Sequence, residues 1–149
     1  MPSNTKRGTY CLVIHVKNTS NIVIGKLDNI KFEKGFYVYV GSALNSLNTR
    51  IKRHLSPDKK KHWHVDYLLD SENSKIIDII YVENSRKWEC KVAEEHSVLG
   101  TGVRGFGCSD CKCNSHLFYF KGLEPAINAC RDTFKKLNLD PKNLADLNI

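Results

Sequence analysis

Tyr39-Val40-Gly41-Ser42-Ala43 is followed by Arg50, nine residues after the glycine, and then by His54. Residues four apart on a helix are surface neighbours, so Arg50 and His54 can address one object. A guanidinium grips a phosphate with two parallel hydrogen bonds, and a phenol or an imidazole can move a proton. Brought together, these three groups suit chemistry on a phosphodiester.

They must be positioned by a strand, a turn and a helix. Phe36 to Val40 is aromatic and β-branched and reads as a strand introduced by Gly35. Asn45 or Ser46 can cap a helix that runs to about Leu55, where Ser56-Pro57 stops it. Leu47, Ile51 and Leu55, spaced by four, form its buried stripe, with Arg50, Arg53 and His54 largely off it. Upstream, Tyr10 to Val16 is a short apolar run and reads as a buried strand, with one or two further strands over 22–25 and 30–32. Short turns between these strands predict an antiparallel meander. His64 to Leu69 predicts a short helix, 75–82 a strand, and 89–99 a helix ending near Gly100. His116 to Phe120 predicts another strand, and a C-terminal helix of about 124–138 begins near Pro125. The tail from Asp140 carries little to tie it down. The fold class is α+β, a small antiparallel or mixed sheet with helices packed around it. The expected organisation is one domain over 1–149, with its core at about 8–120.

Gly8-Thr9-Tyr10 and Tyr39-Val40-Gly41, with Arg50, His54 and Glu89-Cys90-Lys91-Val92 in order behind them, resemble the pattern of the GIY-YIG nucleases. The chain is most similar to a branch of that superfamily found alone or joined to an endonuclease III-type glycosylase. The resemblance covers about residues 8–120, including 62–69 and 105–120. It implies a three-stranded antiparallel core and a metal-dependent DNA endonuclease that hydrolyses phosphodiester bonds in repair or in structured DNA. It makes Tyr10 or Tyr39 the general base, lowered from the ordinary phenol value by a nearby cation. Arg50 stabilises charge on the phosphate, His54 assists proton transfer, and Glu89 ligates Mg²⁺ or Mn²⁺. Plain structural readings stand beside these: two tyrosines in strands, His54 near the negative end of a helix, Glu89 near the positive end of another. Two departures bear on phosphate binding. Ser42 stands where many members have lysine, and the turn to Arg50 is one residue longer.

The formal charge is +7 and the pI about 9.1. Arg50, Lys52, Arg53, Lys59, Lys60 and Lys61 are interrupted by one acid, Asp58. The run is either a solvated lysine-rich loop or, because it starts in the candidate helix, a polyanion-binding face. His62 and His64 flank Trp63. As an i, i+2 pair on extended chain they would face one side and reach the site or a DNA phosphate, with Asp66 orienting one of them. The alternative is a packed tryptophan with two hydrogen-bonded histidines.

Six cysteines are present. Cys11, Cys90 and Cys130 are isolated and read as buried small hydrophobes. Cys108-x2-Cys111-x-Cys113-x2-His116 has zinc-ligand types, although the spacing is tighter than most zinc motifs. The favoured way of ordering the loop 102–115 is docking of Phe106 and Asp110 against the core, not zinc. No apolar run is long enough to span a membrane, and 1–7 reads as no secretory signal, so the expected location is the cytoplasm. The competing functions are a non-cleaving nucleic-acid-binding module and an interaction domain for a glycosylase-like repair partner.

Overall fold

The computed structural model describes residues 6–43, 45–57, 59–83, 88–107 and 113–147. Four strands come first: β1 (Gly8–Val16), β2 (Ser20–Val23), β3 (Asn29–Phe32) and β4 (Gly35–Ala43). Helices α1 (Leu47–Leu55) and α2 (His64–Leu69) follow, then β5 (Ser74–Glu83) and α3 (Glu89–Leu99). The chain ends with β6 (Thr101–Gly102), β7 (Leu117–Phe120), α4 (Leu123–Lys136) and β8 (Lys142–Asn143). The protein is α+β.

The main sheet has six strands in the order β6-β7-β4-β1-β5-β8, and every pairing is antiparallel. The expected three-stranded core is its centre, β4-β1-β5, widened by a short strand pair on one side and one strand on the other. β2 and β3 form a separate hairpin. The meander is therefore interrupted: β1 pairs with β4 and β5, not with β2. The tail is tied down by β8, which pairs Ile80 with Asn143 and Tyr81 with Lys142.

Successive strand residues point to opposite faces, and β1 shows the division. Tyr10, Leu12 and Ile14 join Leu47, Ile51, Val65 and Leu68 of α1 and α2. Cys11 and Val13 join Val92, Ala93, Ala126, Cys130 and Phe134 of α3 and α4. One glycine explains the register of the centre. A Cβ at Gly41 would lie 2.5 Å from the Tyr10 ring carbon Cζ and hydroxyl, so the phenol rests where only a glycine leaves room. Among the described residues, no helix is long and apolar enough to cross a membrane.

Candidate active site

β4 outruns its neighbour, and that is where the site begins. β7 pairs with β4 only as far as Tyr39. Beyond it, the Val40 amide donates to the His116 carbonyl at 2.9 Å, and His116 Nδ1 lies 3.2 Å from the Val40 carbonyl. Two residues on, Arg50 Nη1 donates to the Ser42 carbonyl at 2.9 Å. Residues i and i+2 of a strand share a side. Spare backbone acceptors of β4 thus hold an arginine and a histidine.

Inside this rim the Tyr10 hydroxyl lies 2.7 Å from His54 Nε2. Both groups are buried, Tyr10 at 1% and His54 at 2% exposure. The Tyr39 ring stands edge-on to His54 at 6.1 Å and to Phe106 at 6.3 Å. Burial of His54 corrects its expected place off the stripe. At about 100° per residue, His54 lies about 20° from Leu47 around the helix, whereas Leu55 lies about 80° away. The buried residues of α1 are accordingly Leu47, Ile51 and His54, and Leu55 is exposed.

Burial governs the protonation of this group. It pushes Tyr10 well above the ordinary phenol value; Arg50, within hydrogen-bonding reach, works against the rise, and Glu89 and Asp66 add to it. Tyr39 is raised first by burial, then by Tyr10 and Glu89. His54 is pushed down to about 3 by burial, with Asp66 opposing and Arg50, Arg53 and Lys59 reinforcing. The expectation of a phenol lowered by a cation is corrected: desolvation outweighs the guanidinium. At neutral pH the pair is an un-ionised phenol against an uncharged imidazole. His54 Nδ1 is buried with no hydrogen-bond partner among the described residues.

α2 supplies the wall. Asp66 accepts both guanidinium nitrogens of Arg53, at 3.0 and 2.9 Å, and the amides of His62 and Trp63 at 2.8 and 2.9 Å. Burial would raise this carboxyl, but the Arg53, Trp63 and His62 bonds hold it below its usual range. Asp66 thus serves an arginine and the start of α2, not the imidazoles expected. Both Arg50 and Arg53 lie over the Trp63 ring, at 4.5 and 4.3 Å. Arg53 also donates to the Lys60 carbonyl. Lys59 donates to the His54 and Ser56 carbonyls, closing the end of α1. Lys61 pairs with Asp70 at 3.4 Å on the surface. Lys52, Lys60 and His62 are exposed. His64 does not face the same way as His62 from an extended segment; it begins α2, and its Nδ1 accepts from the Gly107 amide at 2.8 Å. That contact and the buried Phe106 dock the loop after β6 beside Tyr39. Asp110, Cys108 and Cys111 lie outside the described residues.

Glu89 opens α3 at the rim, with its Oε1 3.5 Å from the Ser42 hydroxyl and its Oε2 4.0 Å from His116 Nδ1. Its carboxylate acts electrostatically on both Tyr10 and Tyr39. A partly exposed carboxylate beside a hydroxyl is an oxygen donor set that fits a hydrated hard cation, which needs few protein ligands. Cys90 departs from its sequence reading. It is half-buried, not a core residue, and its sulfur lies 4.0 Å from His116 Nε2. Nothing in the local sequence could signal a contact made across 26 residues. Trp63 and the Ser42 carbonyl are the other site elements whose roles sequence reasoning missed.

The fold and site define an α+β protein in which a tyrosine–histidine pair, an arginine and a carboxylate gather at one end of the central strands β1 and β4. Over residues 9–139 the chain matches the family described as "Domain of unknown function DUF123", and it belongs to that family. No curated protein and no solved structure matches it.

Proposed function

We propose that the protein is a GIY-YIG-type, divalent-metal-dependent DNA endonuclease acting in repair or on structured DNA. The observation that carries this reading is the buried Tyr10–His54 hydrogen bond with the Arg50 guanidinium against the same hydroxyl. A guanidinium carries five N–H donors, and Arg50 spends one on Ser42. Others would meet the phosphate and hold the charge that builds there. With the proton of His54 on Nδ1, Nε2 accepts the Tyr10 O–H. A proton leaving an attacking water would then pass onto the Tyr10 oxygen as Tyr10 gives its own to Nε2. Asp66 favours the resulting imidazolium, while burial and the charges of Arg50, Arg53 and Lys59 oppose it, so the relay would need the negative charge of a bound phosphate to offset them. Glu89, with Ser42, would hold Mg²⁺ or Mn²⁺, which supplies Lewis-acid activation of water when bound. Lys52 and Lys60 would extend the footprint along the backbone of the nucleic acid, and an endonuclease III-type glycosylase is the partner the reading implies.

A second reading, a binding module that does not cut, is favoured by one observation: Tyr10, His54 and Tyr39 are all buried. A nicking assay on plasmid, branched and abasic DNA, with Mg²⁺, Mn²⁺ or neither, separates the two. Metal-dependent nicking lost in Arg50→Ala and Glu89→Gln is expected, with each variant slowed at least about a hundredfold. Tight binding without nicking by the wild-type chain would establish the second reading.

A further inference from the structure

The contact between Cys90 and His116 is part of a larger cluster. The sulfurs of Cys90 and Cys113 and a nitrogen of His116 all lie within 4.8 Å of one another. The three come from two segments: the first turn of α3 supplies Cys90, and the loop that leads into β7 supplies Cys113 and His116. We propose that Cys90, Cys113 and His116 bind one zinc ion that pins the start of α3 to the start of β7.

Three features of the site support this. The distances are close to those a metal requires. Zn–S of about 2.3 Å and Zn–N of about 2.0 Å set tetrahedral ligand atoms roughly 3.5–3.8 Å apart. Cys90 Sγ lies 4.0 Å from His116 Nε2, a few tenths of an ångström beyond this, and no pair of the three is more than 4.8 Å apart, a gap that closure onto an ion would remove. The imidazole is also oriented. His116 is buried, and with Nδ1–H donated to the Val40 carbonyl its Nε2 presents a lone pair toward the thiols. Holding the second ring nitrogen on a carbonyl is the usual support of a ligating histidine. Access is provided by a groove of about 800 Å³ lined by Cys90, Cys113, Glu94, Arg104 and Phe118. Two soft thiolates and an imidazole select zinc among abundant divalent ions, leaving a fourth position for solvent from the groove.

This ligand set is not the tight sequence cluster. The single residue between Cys111 and Cys113 no longer matters, because the second sulfur comes from α3. Binding converts two thiols to thiolates and releases their protons to solvent. Glu89 is the neighbour of Cys90 in the chain, so the ion would hold the carboxylate at the rim of the Tyr10 site. The zinc site stands whether or not the protein cuts DNA, since its readout is metal content.

The test uses the full chain, purified under reducing conditions without chelator and reconstituted with Zn²⁺. About one zinc per chain is expected, falling to background in Cys90→Ser and in Cys113→Ser and retained in the Cys108→Ser/Cys111→Ser double variant. Replacement by Co²⁺ should give a thiolate-to-cobalt charge-transfer band, which reads the ligands of the wild-type protein even if a serine variant fails to fold. Wild-type protein without zinc after reconstitution overturns the proposal. So does full zinc in Cys90→Ser, or zinc lost only in the double variant. A Cys90–Cys113 disulfide found in place of the metal under the same reducing conditions also overturns it.

Discussion

Each face of the sheet buries a histidine, and the two are used differently. On the α1/α2 face, His54 has Nε2 on the Tyr10 hydroxyl and Nδ1 without a partner among the described residues. On the α3/α4 face, His96 Nδ1 lies 3.0 Å from the Val92 carbonyl, and Nε2 is the nitrogen left over. His54 is surrounded by Arg50, Arg53, Lys59 and Asp66, and through Arg50 it reaches the rim. His96 sits with Cys11 and Cys130 in a sealed core, all of them fully buried. Burial, followed by Cys11, raises the Cys130 thiol well above its usual value against the pull of His96. The Cys130 thiol therefore stays protonated, and the same donor types as in the groove site act here as packing. A buried imidazole becomes a functional group when its neighbours carry charge and lead outward.

The largest effect that would sharpen this contrast is on acid stability. The folded-state pKa of His54 lies near 3 against an ordinary 6.5. The unfolded chain therefore binds a proton that the folded chain refuses. Stability from this group is complete above about pH 6.5 and is lost as pH falls toward 3, at about 1.4 kcal/mol per unit. The total is about 5 kcal/mol. Urea titrations across that window should show the fall in wild type and a flatter profile in His54→Gln, which can still accept the Tyr10 hydroxyl. An equally steep profile in the variant would remove His54 from the comparison.

Asp66→Ala comes next. It leaves Arg53 without its carboxylate and removes the acceptor of two amides, so a loss of about 3 kcal/mol is expected by denaturant unfolding. A loss under about 1 kcal/mol would mean the wall of the site holds itself up without the ion pair. Gly41→Ala should cost about 1–3 kcal/mol by forcing the Tyr10 ring aside, and thermal melts of the purified variant will read it. Smallest is the surface charge. Replacing Lys52 and Lys60 with glutamine should lower the salt dependence of DNA affinity by up to about 0.9 log units per lost phosphate contact. An unchanged slope would place the footprint elsewhere.

The strands and helices were legible because hydrophobic period and turn residues are local signals. 89–99 matches α3 end to end, and 64–69 matches α2. The order of Tyr10, Tyr39, Arg50, His54 and Glu89 was also on the page. What the sequence leaves unread is contact between elements that only the fold brings together. Arg53 and Asp66 are thirteen residues apart, and both were read for a surface or imidazole partner instead of each other. Cys90 read as a core residue because its neighbours in sequence are helix-periodic, while its neighbour in space is His116. The anchoring of the tail rests on two residues of β8, too few to leave a period.

An unpaired strand is a template for another chain, and long bare edges invite association. The main sheet ends in two-residue strands on both sides; β1 is paired along its length by β4 and β5, while β8 covers only Ile80 and Tyr81 of the ten-residue β5. β4 outruns β7 past Tyr39, and there His116 and Arg50 occupy the carbonyls of Val40 and Ser42. The side chains that equip the site also deny that edge to intruders. A protein lacking both would bare two acceptors on one side of an open strand, the geometry by which a foreign strand adds itself to a sheet. One pair of residues thus borders the candidate site and covers the end of the strand.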